Sequence, residues 1–160
     1  MATRPSLRPP RGFTLFELTI VLAIVVIVSA IALPRYWSSI ARYRVDIAAR
    51  RLAADISLAQ SHARTSGQFH NIQFTRGSLT YTLPEETSFT ESPTGYVVNL
   101  DASPFNVSVL SFALSDGGKT ITFDGFGQAA QSATIQLGAI GHSRTITLNQ
   151  ASGAVNVATP

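Results

Sequence analysis

The segment from Phe13 to Leu33 reads FTLFELTIVLAIVVIVSAIAL, and its single charged residue is Glu17. At a rise of about 1.5 Å per residue, an α-helix of this length spans the roughly 30 Å hydrocarbon layer of a bilayer. Val and Ile also favour buried strands, but the segment is too long for a strand, and a backbone in lipid must satisfy its own hydrogen bonds. The segment is therefore predicted to be a membrane-spanning helix.

Three interpretations of this segment differ in what they make of Glu17. A secretory signal peptide has an apolar region of about 7–15 residues and a small-x-small cleavage site, whereas this run is longer and ends at Pro34-Arg35-Tyr36-Trp37. A plain signal anchor leaves Glu17 unexplained, because a carboxylate at the bilayer centre costs roughly 2.5–3.5 kcal/mol. The third interpretation gives Glu17 a partner and a role. A glutamate that simply lies near the headgroups remains the alternative.

The candidate partners of Glu17 lie on its N-terminal side. No basic side chain follows it within a turn or two, and Arg11 is the nearest one upstream. If the chain were cut after Gly12, the new α-amine of Phe13 would lie four residues from Glu17. That amine could neutralise Glu17 within one chain, or Glu17 could neutralise the terminus of the next subunit in an assembly.

The distribution of charge argues against a general nucleic-acid-binding protein. The net charge is +3 and the isoelectric point is near 9.8. Residues 1–12 contain three arginines and no acid, whereas residues 13–160 contain nine basic and nine acidic residues. The apolar content of 45% and charged content of 13% exclude a disordered charged tail. The absence of cysteine excludes a disulfide scaffold, a thiolate zinc site and a cysteine nucleophile.

A second, amphipathic helical stretch is predicted over residues 34–66. Pro34 follows the apolar run, and a proline inside a helix removes a hydrogen bond and kinks the helix. Gly67 is a plausible helix stop. Apolar residues recur at spacings of three and four, namely Val45, Ala48 or Ala49, Leu52, Ile56, Ala59 and Ala63.

The amphipathic stretch is basic and the rest of the chain is acidic. Residues 35–66 have a net charge of +4, and residues 67–160 have a net charge of −3. The simplest interpretation is a solvated helix face on a mildly acidic domain. Alternatively, basic helices contact the acidic heads of neighbouring subunits in a filament, or Arg35, Arg42 and Arg44 contact anionic lipid headgroups.

From Gln68 onward the pattern predicts a β-rich head over residues 67–160. Residues 69–75 and 79–83 alternate around a turn and predict a hairpin. Residues 84–94 are polar and predict a loop. Further strands are predicted at 95–100, 106–112, 119–123, 133–137, 144–148 and 154–157. Eight short strands with polar turns favour an α+β fold, with the long hydrophobic-then-amphipathic helix packed on an antiparallel two-sheet head.

The stretch Arg11-Gly12-Phe13-Thr14-Leu15-Phe16-Glu17 resembles the processing site of type IV pilins and type II secretion pseudopilins. The resemblance implies that a prepilin peptidase removes a leader of residues 1–12 by cutting between Gly12 and Phe13. It also implies that the new amine of Phe13 is methylated and that Glu17 sets subunit register during assembly. Phe16 departs from the family, which more often has Ile or Leu there.

The resemblance continues through residues 41–66, 121–127 and 141–148, which are similar to H-type minor pseudopilins and FimT-like pilins. It implies a pilin-like fold with a β-sandwich-like head, and a structural subunit rather than an enzyme, with no cofactor. The implied partners are prepilin peptidase, other major and minor pseudopilins and the inner membrane. The leader would lie in the cytoplasm and the head in the periplasm.

The function predicted on this basis is that of a minor pseudopilin, a structural subunit of a type II secretion pseudopilus. The alternative is a minor type IV pilin of the FimT kind, acting in pilus assembly or DNA uptake. Some FimT-like pilins are thought to bind DNA through a basic C-terminal stretch, but this chain offers only Arg144 there, so DNA is not an expected partner.

Enzyme and metal sites have little support in the sequence. A membrane-anchored enzyme is disfavoured because the chain has neither a Gly-x-Ser-x-Gly elbow nor a phosphate loop. His62, His70 and His142 lack metal-ligand spacing and are interpreted as surface or packing residues, with His142 in a late turn. Residues 124–127 are interpreted as a turn rather than a calcium site.

Overall fold

The computed structural model describes residues 12–86 and 95–158, which form one long helix and eight strands. Every strand predicted from the sequence is present, and the α+β class, with a long helix and two antiparallel sheets, is confirmed. The elements are α1 Leu15–Ser66, β1 His70–Phe74, β2 Thr80–Leu83, β3 Tyr96–Asn99, β4 Val109–Leu114, β5 Thr120–Phe123, β6 Ala133–Ala139, β7 His142–Leu148 and β8 Val155–Ala158.

Helix α1 includes both the apolar run and the amphipathic stretch. It continues through Pro34, where the kink remains a prediction, and it ends at Ser66. Gly67 follows with φ of 68°, and its amide donates to the carbonyl of Ala63 at 2.9 Å. A left-handed residue after the last turn is a common helix terminus, and glycine adopts it without a steric penalty. The described residues divide into two compact units, one ending at Trp37 and the other beginning at Ser38.

The strands form two antiparallel four-stranded sheets. The first has the order β3-β2-β1-β5, and the second has the order β4-β6-β7-β8. The predicted hairpin of β1 and β2 is confirmed by the pairs Gln73 with Thr82 and Phe74 with Tyr81. The longest register joins β6 to β7 from Ala133 opposite Leu148 to Ala139 opposite His142.

A single core lies between the amphipathic half of α1 and the sheets. The apolar stripe predicted from the sequence is buried, and Leu52 and Ile56 have no exposed surface. The rings of Phe74 on β1 and Phe112 on β4 stack at 5.1 Å, which joins the two sheets. The largest fully buried side chains are Tyr81, Phe74, Phe123, Leu52, Ile56, Ile72, Leu83, Leu100, Ile121, Ile135, Leu137 and Ile146.

Two details differ from the sequence-based expectation, and two predicted segments lie partly outside the described residues. Strand β4 begins at Val109 rather than 106, since Asn106 has φ of 47° and the amide of Val107 donates to the carbonyl of Leu100. His142 is the first residue of β7 rather than part of a turn. Residues 1–11 of the predicted leader (1–12) and residues 87–94 of the predicted loop (84–94) lie outside the described residues.

Candidate functional site

The predicted cleavage site lies immediately before the helix. Gly12, Phe13 and Thr14 have no regular secondary structure, and α1 begins at Leu15. Phe13 is 81% exposed. A Cβ built on Gly12 would meet no atom within 4 Å. The described part of the chain therefore gives no packing reason for glycine at position 12.

Thr14 and Glu17 form the N-terminal cap of α1. The amide of Glu17 donates to Oγ1 of Thr14 at 3.2 Å, and the amide of Leu18 donates to the Thr14 carbonyl at 3.1 Å. This is the Ser/Thr-x-x-Glu spacing of a capping box, with Glu17 at the third helical position. A carboxylate there is favoured by the positive end of the helix dipole. Local backbone chemistry thus fixes where Glu17 lies relative to the predicted cleavage site.

The apolar run is exposed along its whole length within its own unit. Every residue from 12 to 37 is exposed except the half-buried Ser29. The described residues contain one helix long and apolar enough to cross a membrane, and none of its most apolar 18-residue window is buried. Folding of this unit therefore leaves the apolar face to be covered by lipid or by another chain.

In the head, a buried carboxylate joins α1 to the first sheet. Asp55 is 3% exposed, and Tyr81 on β2 donates its hydroxyl to Asp55 Oδ2 at 2.6 Å. Arg51 Nε lies 3.3 Å from the same oxygen, and its guanidinium stacks 5.5 Å from the ring centroid of Tyr96. Burial raises the pKa of Asp55 above 3.8, and burial beside Asp55 raises the pKa of Tyr81. The predictions from the sequence did not include Asp55, although it lies seven residues after Ala48 and thus on the same helix face.

A second carboxylate joins α1 to the second sheet. Asp46 accepts from Arg50 Nε at 2.8 Å and from Arg144 Nε at 3.1 Å. The hydrogen bond from Arg50 lowers the pKa of Asp46 below 3.8 despite partial burial, and that from Arg144 acts in the same direction. Arg144 is 6% exposed, and its Nη1 also donates to the Ser143 carbonyl. The residue weighed as a DNA contact thus has its guanidinium engaged within the head, and a DNA role for it remains untested.

Two of the histidines meet a glutamate that lies far from them in sequence. His62 Nδ1 on α1 lies 2.7 Å from the carboxylate of Glu86, and His70 Nδ1 on β1 lies 3.2 Å from it. Ser66 Oγ lies 3.1 Å from His70 Nε2. No group that could hold a metal ion is found among the described residues. No sequence spacing revealed this cluster, because Glu86 joins it only through the fold.

The predicted turn at residues 124–127 is present and packs on the end of α1. Asp124 Oδ1 accepts from the amides of Phe126 and Gln128 at 3.0 and 2.8 Å. A Cβ on Gly125 would lie 2.4 Å from the Gly67 carbonyl oxygen, so this close approach requires glycine. Asp124 therefore acts as a turn residue, since its carboxylate is used by the backbone.

The comparisons with known proteins agree with this architecture. A family model described as "Type II transport protein GspH" matches residues 48–152, about two thirds of the chain. The chain belongs to the GspH family. A second model, the prokaryotic N-terminal methylation motif, matches residues 7–33. A search of curated protein sequences finds no match.

Solved structures of two bacterial filament proteins share the fold. The minor pseudopilin EpsH from the type 2 secretion system of Vibrio cholerae is 16% identical, with a TM-score of 0.57 over 73% of this chain and 98% of EpsH. The type IV minor pilin FimU of Pseudomonas aeruginosa is 18% identical, with a TM-score of 0.54 over 73% of this chain and 90% of FimU. At these identities the likeness establishes the fold alone.

The family match confirms the central prediction from the sequence. The chain is a minor pseudopilin of the type II secretion kind, and its N-terminal methylation motif is the one on which the resemblance was based. The GspH match covers Asp55 and Arg144 of the head, and the methylation motif covers Gly12, Phe13 and Glu17.

Proposed function

We propose that this GspH-family chain is a non-enzymatic subunit of a type II secretion pseudopilus, anchored by one helix in the inner membrane with its head in the periplasm. A prepilin peptidase cuts it between Gly12 and Phe13 and methylates the new amine. The observation that carries the proposal is the N-terminal unit itself. It has a capped helix start directly after an exposed Gly-Phe bond and an apolar helix with no cover of its own.

The position of the helix cap supports cleavage at this bond. Proteases act on chain that can lie extended in a cleft, and the Gly12–Phe13 bond lies outside α1 while the residues after Thr14 are helical. Because a side chain at position 12 would meet nothing in the described chain, glycine there matches a requirement of the enzyme rather than of the fold. Phe13 and Leu18 stand at the two positions of a hydrophobic staple around the Thr14 cap.

Cleavage would also place a cation close to Glu17. The α-amine of Phe13 is then a cation four residues from the carboxylate, at the start of a segment that enters lipid. An unpaired carboxylate in lipid is costly, and pairing with a cation offsets that cost. In a filament, Glu17 pairs with the Phe13 amine of a neighbouring subunit and so sets the axial register of the two helices.

The exposed apolar face of the N-terminal half of α1 must be covered by the other partners. Before assembly it is covered by the lipid of the inner membrane, and in the pseudopilus by the corresponding helices of major and minor pseudopilins. The basic helix over residues 35–66 and the net negative charge of residues 67–160 favour contacts between the helix of one subunit and the head of another.

Mass spectrometry and N-terminal sequencing of protein from native membranes test this function. The expected chain begins at N-methylated Phe13 when an active prepilin peptidase is present, and at the original terminus when the peptidase is inactivated. Gly12→Ala should block cleavage while leaving the head folded, and Gly138→Ala on β6, where an added Cβ would keep contacts of 3.4 Å or more, serves as a control for glycine replacement. An uncut chain in cells with an active peptidase would contradict the proposal.

A further inference from the structure

The end of the head where α1 enters it carries an exposed apolar turn. Ile140 and Gly141 join β6 to β7, and their φ angles are 47° and 74°. Two residues at positive φ make the hairpin turn for which Asn-Gly and Asp-Gly are the usual sequences, and a β-branched residue is rare in that conformation. Ile140 is nevertheless 71% exposed. Neither the turn geometry nor the core accounts for isoleucine at this position.

This turn lies next to the first residues of the head. Ser38 Oγ lies 2.8 Å from Nε2 of His142, the residue after the turn. Ser38 follows Leu33, the last residue of the apolar run, by five residues that all belong to α1. Five residues span at most about 18 Å of chain, so the first residues of the head stay near the end of the apolar run. Val109, opposite Gly138 on the neighbouring strand, adds a second half-exposed apolar side chain beside the turn.

The same end of the head is rich in arginine. A surface cleft of about 530 Å³ is lined by Ser39, Arg42, Tyr43, Asp46, Arg50 and Arg144. Asp46 is the only carboxylate in this lining, against three guanidinium groups, and it is already bonded to Arg50 and Arg144. Arg42 is exposed. Binding at a membrane interface has two contributions, the insertion of apolar side chains and the attraction of cations to anionic lipid. The exposed apolar turn matches the first contribution, and the cationic cleft matches the second.

We propose that the β6–β7 turn and Arg42 form a second membrane contact of the head. Ile140 enters the interfacial layer of an anionic bilayer, while Arg42 binds a lipid phosphate. This contact holds the head against the membrane before the subunit enters a filament. It rests on the proposed single-pass anchoring, and the experiment below separates a failure of the anchor from a failure of this contact.

The chain contains no cysteine, so a single introduced thiol can be labelled cleanly. The full chain is reconstituted into phosphatidylcholine vesicles with and without phosphatidylglycerol, and an environment-sensitive fluorophore is placed on Ile140→Cys. The matched control is Phe126→Cys, which is 82% exposed in the turn that packs on Gly67 at the other end of the helix. Leu22→Cys, inside the apolar run, reports the anchor.

The expected result is a blue shift and quenching by shallow spin-labelled lipid at position 140, but not at position 126, in vesicles that contain phosphatidylglycerol. The Arg42→Gln variant or high salt should remove most of this signal. If position 140 behaves like position 126 while position 22 is quenched by deep spin-labelled lipid, the turn contact is wrong and the anchor is right. If position 22 is not quenched by the deep label, both are wrong. A signal that rises with the protein-to-lipid ratio would assign the turn to a second copy and overturn the lipid contact.

The Ile140→Asn variant separates a membrane role from a structural one. Asparagine tolerates positive φ, so this variant should raise the unfolding temperature of the head. Measured with the fluorophore on Val109→Cys, the same variant should reduce quenching by lipid. Quenching unchanged by Ile140→Asn would contradict the proposal, since it would mean that the isoleucine side chain makes no contact with lipid.

Discussion

Apolar side chains have opposite environments in the two units of this protein. Between residues 12 and 37 the apolar residues are exposed in the single chain, and Ile24 and Ile27 are 56% and 63% exposed. Between 38 and 66 the apolar stripe of the same helix has almost no exposed surface, because it packs on the two sheets. The C-terminal half of α1 thus buries its apolar face within the chain, whereas the apolar surface of the N-terminal half must be covered by lipid or by another chain. That division is what a subunit destined for a membrane and then for a filament requires.

Glu17→Ala should produce the largest effect on assembly and the smallest on the head. We expect incorporation into filaments to be abolished, since the Phe13 amine of the neighbour loses its carboxylate partner. The unfolding temperature of the head should not change, because Glu17 lies outside that unit. Incorporation is measured by cross-linking and co-purification with the other pseudopilins, with Ser29→Ala as the control within the same apolar run. Normal incorporation of the Glu17→Ala chain would remove the proposed role of Glu17.

A matched pair of leucines tests the contrast within α1 directly. Leu52→Ala removes a side chain with no exposed surface and should lower the free energy of unfolding by about 2–5 kcal/mol. Leu22→Ala removes one that is 55% exposed, so it should leave the unfolding of the head unchanged. Chemical denaturation of the full chain in detergent, followed by circular dichroism, measures both. Equal losses for the two variants would mean that the apolar run contributes to the stability of the head.

The two aspartates of α1 should respond to acid in opposite ways. Burial raises the pKa of Asp55, so its contribution to stability is fully present below pH 3.8 and is lost as the pH rises through its folded value. Hydrogen bonds lower the pKa of Asp46, so its contribution is present above pH 3.8 and is lost as the pH falls through its folded value. Relative to the wild type, Asp55→Asn should therefore become more destabilising as the pH falls from neutral toward 3.8. Asp46→Asn should become less destabilising near and below 3.8.

Thermal unfolding of the full chain across this pH range measures both differences. Tyr81→Phe provides a control, because it removes the hydroxyl that donates to Asp55 without removing a carboxylate. Parallel pH profiles for Asp55→Asn and the wild type would show that burial of Asp55 is not coupled to protonation.

The sequence predicted the elements of this fold better than its polar contacts. Hydrophobic periodicity is local, so the stripe around Leu52 and the alternation in β1 and β2 identified the helix and the strands within a few residues. The later start of β4 was not predicted, because it depends on the positive φ of Asn106 and on the hydrogen bond from the Val107 amide to the Leu100 carbonyl. Neither feature can be read from the alternation of apolar and polar residues.

The polar contacts of the head join residues distant in sequence. Glu86 meets His62 and His70 only because the strands bring the end of β2 against α1, and Arg144 meets Asp46 across 98 residues. The burial of Asp55 was predictable from its spacing of seven residues from Ala48, but its partner Tyr81, 26 residues away, was not. The N-terminal motif could be recognised in the sequence because Gly12, Phe13 and Glu17 lie within six consecutive residues, whereas cleavage after Gly12 and the role of Glu17 stay predictions.

The two arginines that bind Asp46 provide the test with the smallest expected effect, because one is exposed and the other is buried. Arg144 is 8% exposed in its side chain, so Arg144→Gln should cost about 1.5–3 kcal/mol, the range for hydrogen bonds to charged groups. Arg50 binds the same carboxylate four residues away and is 75% exposed, so Arg50→Gln should cost only about 0.3–0.5 kcal/mol.

Denaturation at low and high salt measures both losses of stability, and only the loss for Arg50→Gln should disappear at high salt because water and ions reach that pair. If the two losses were equal and equally screened, Arg144 would be as accessible as a surface residue. The effect of Arg144→Gln on DNA binding could then be measured without a correction for lost stability of the head.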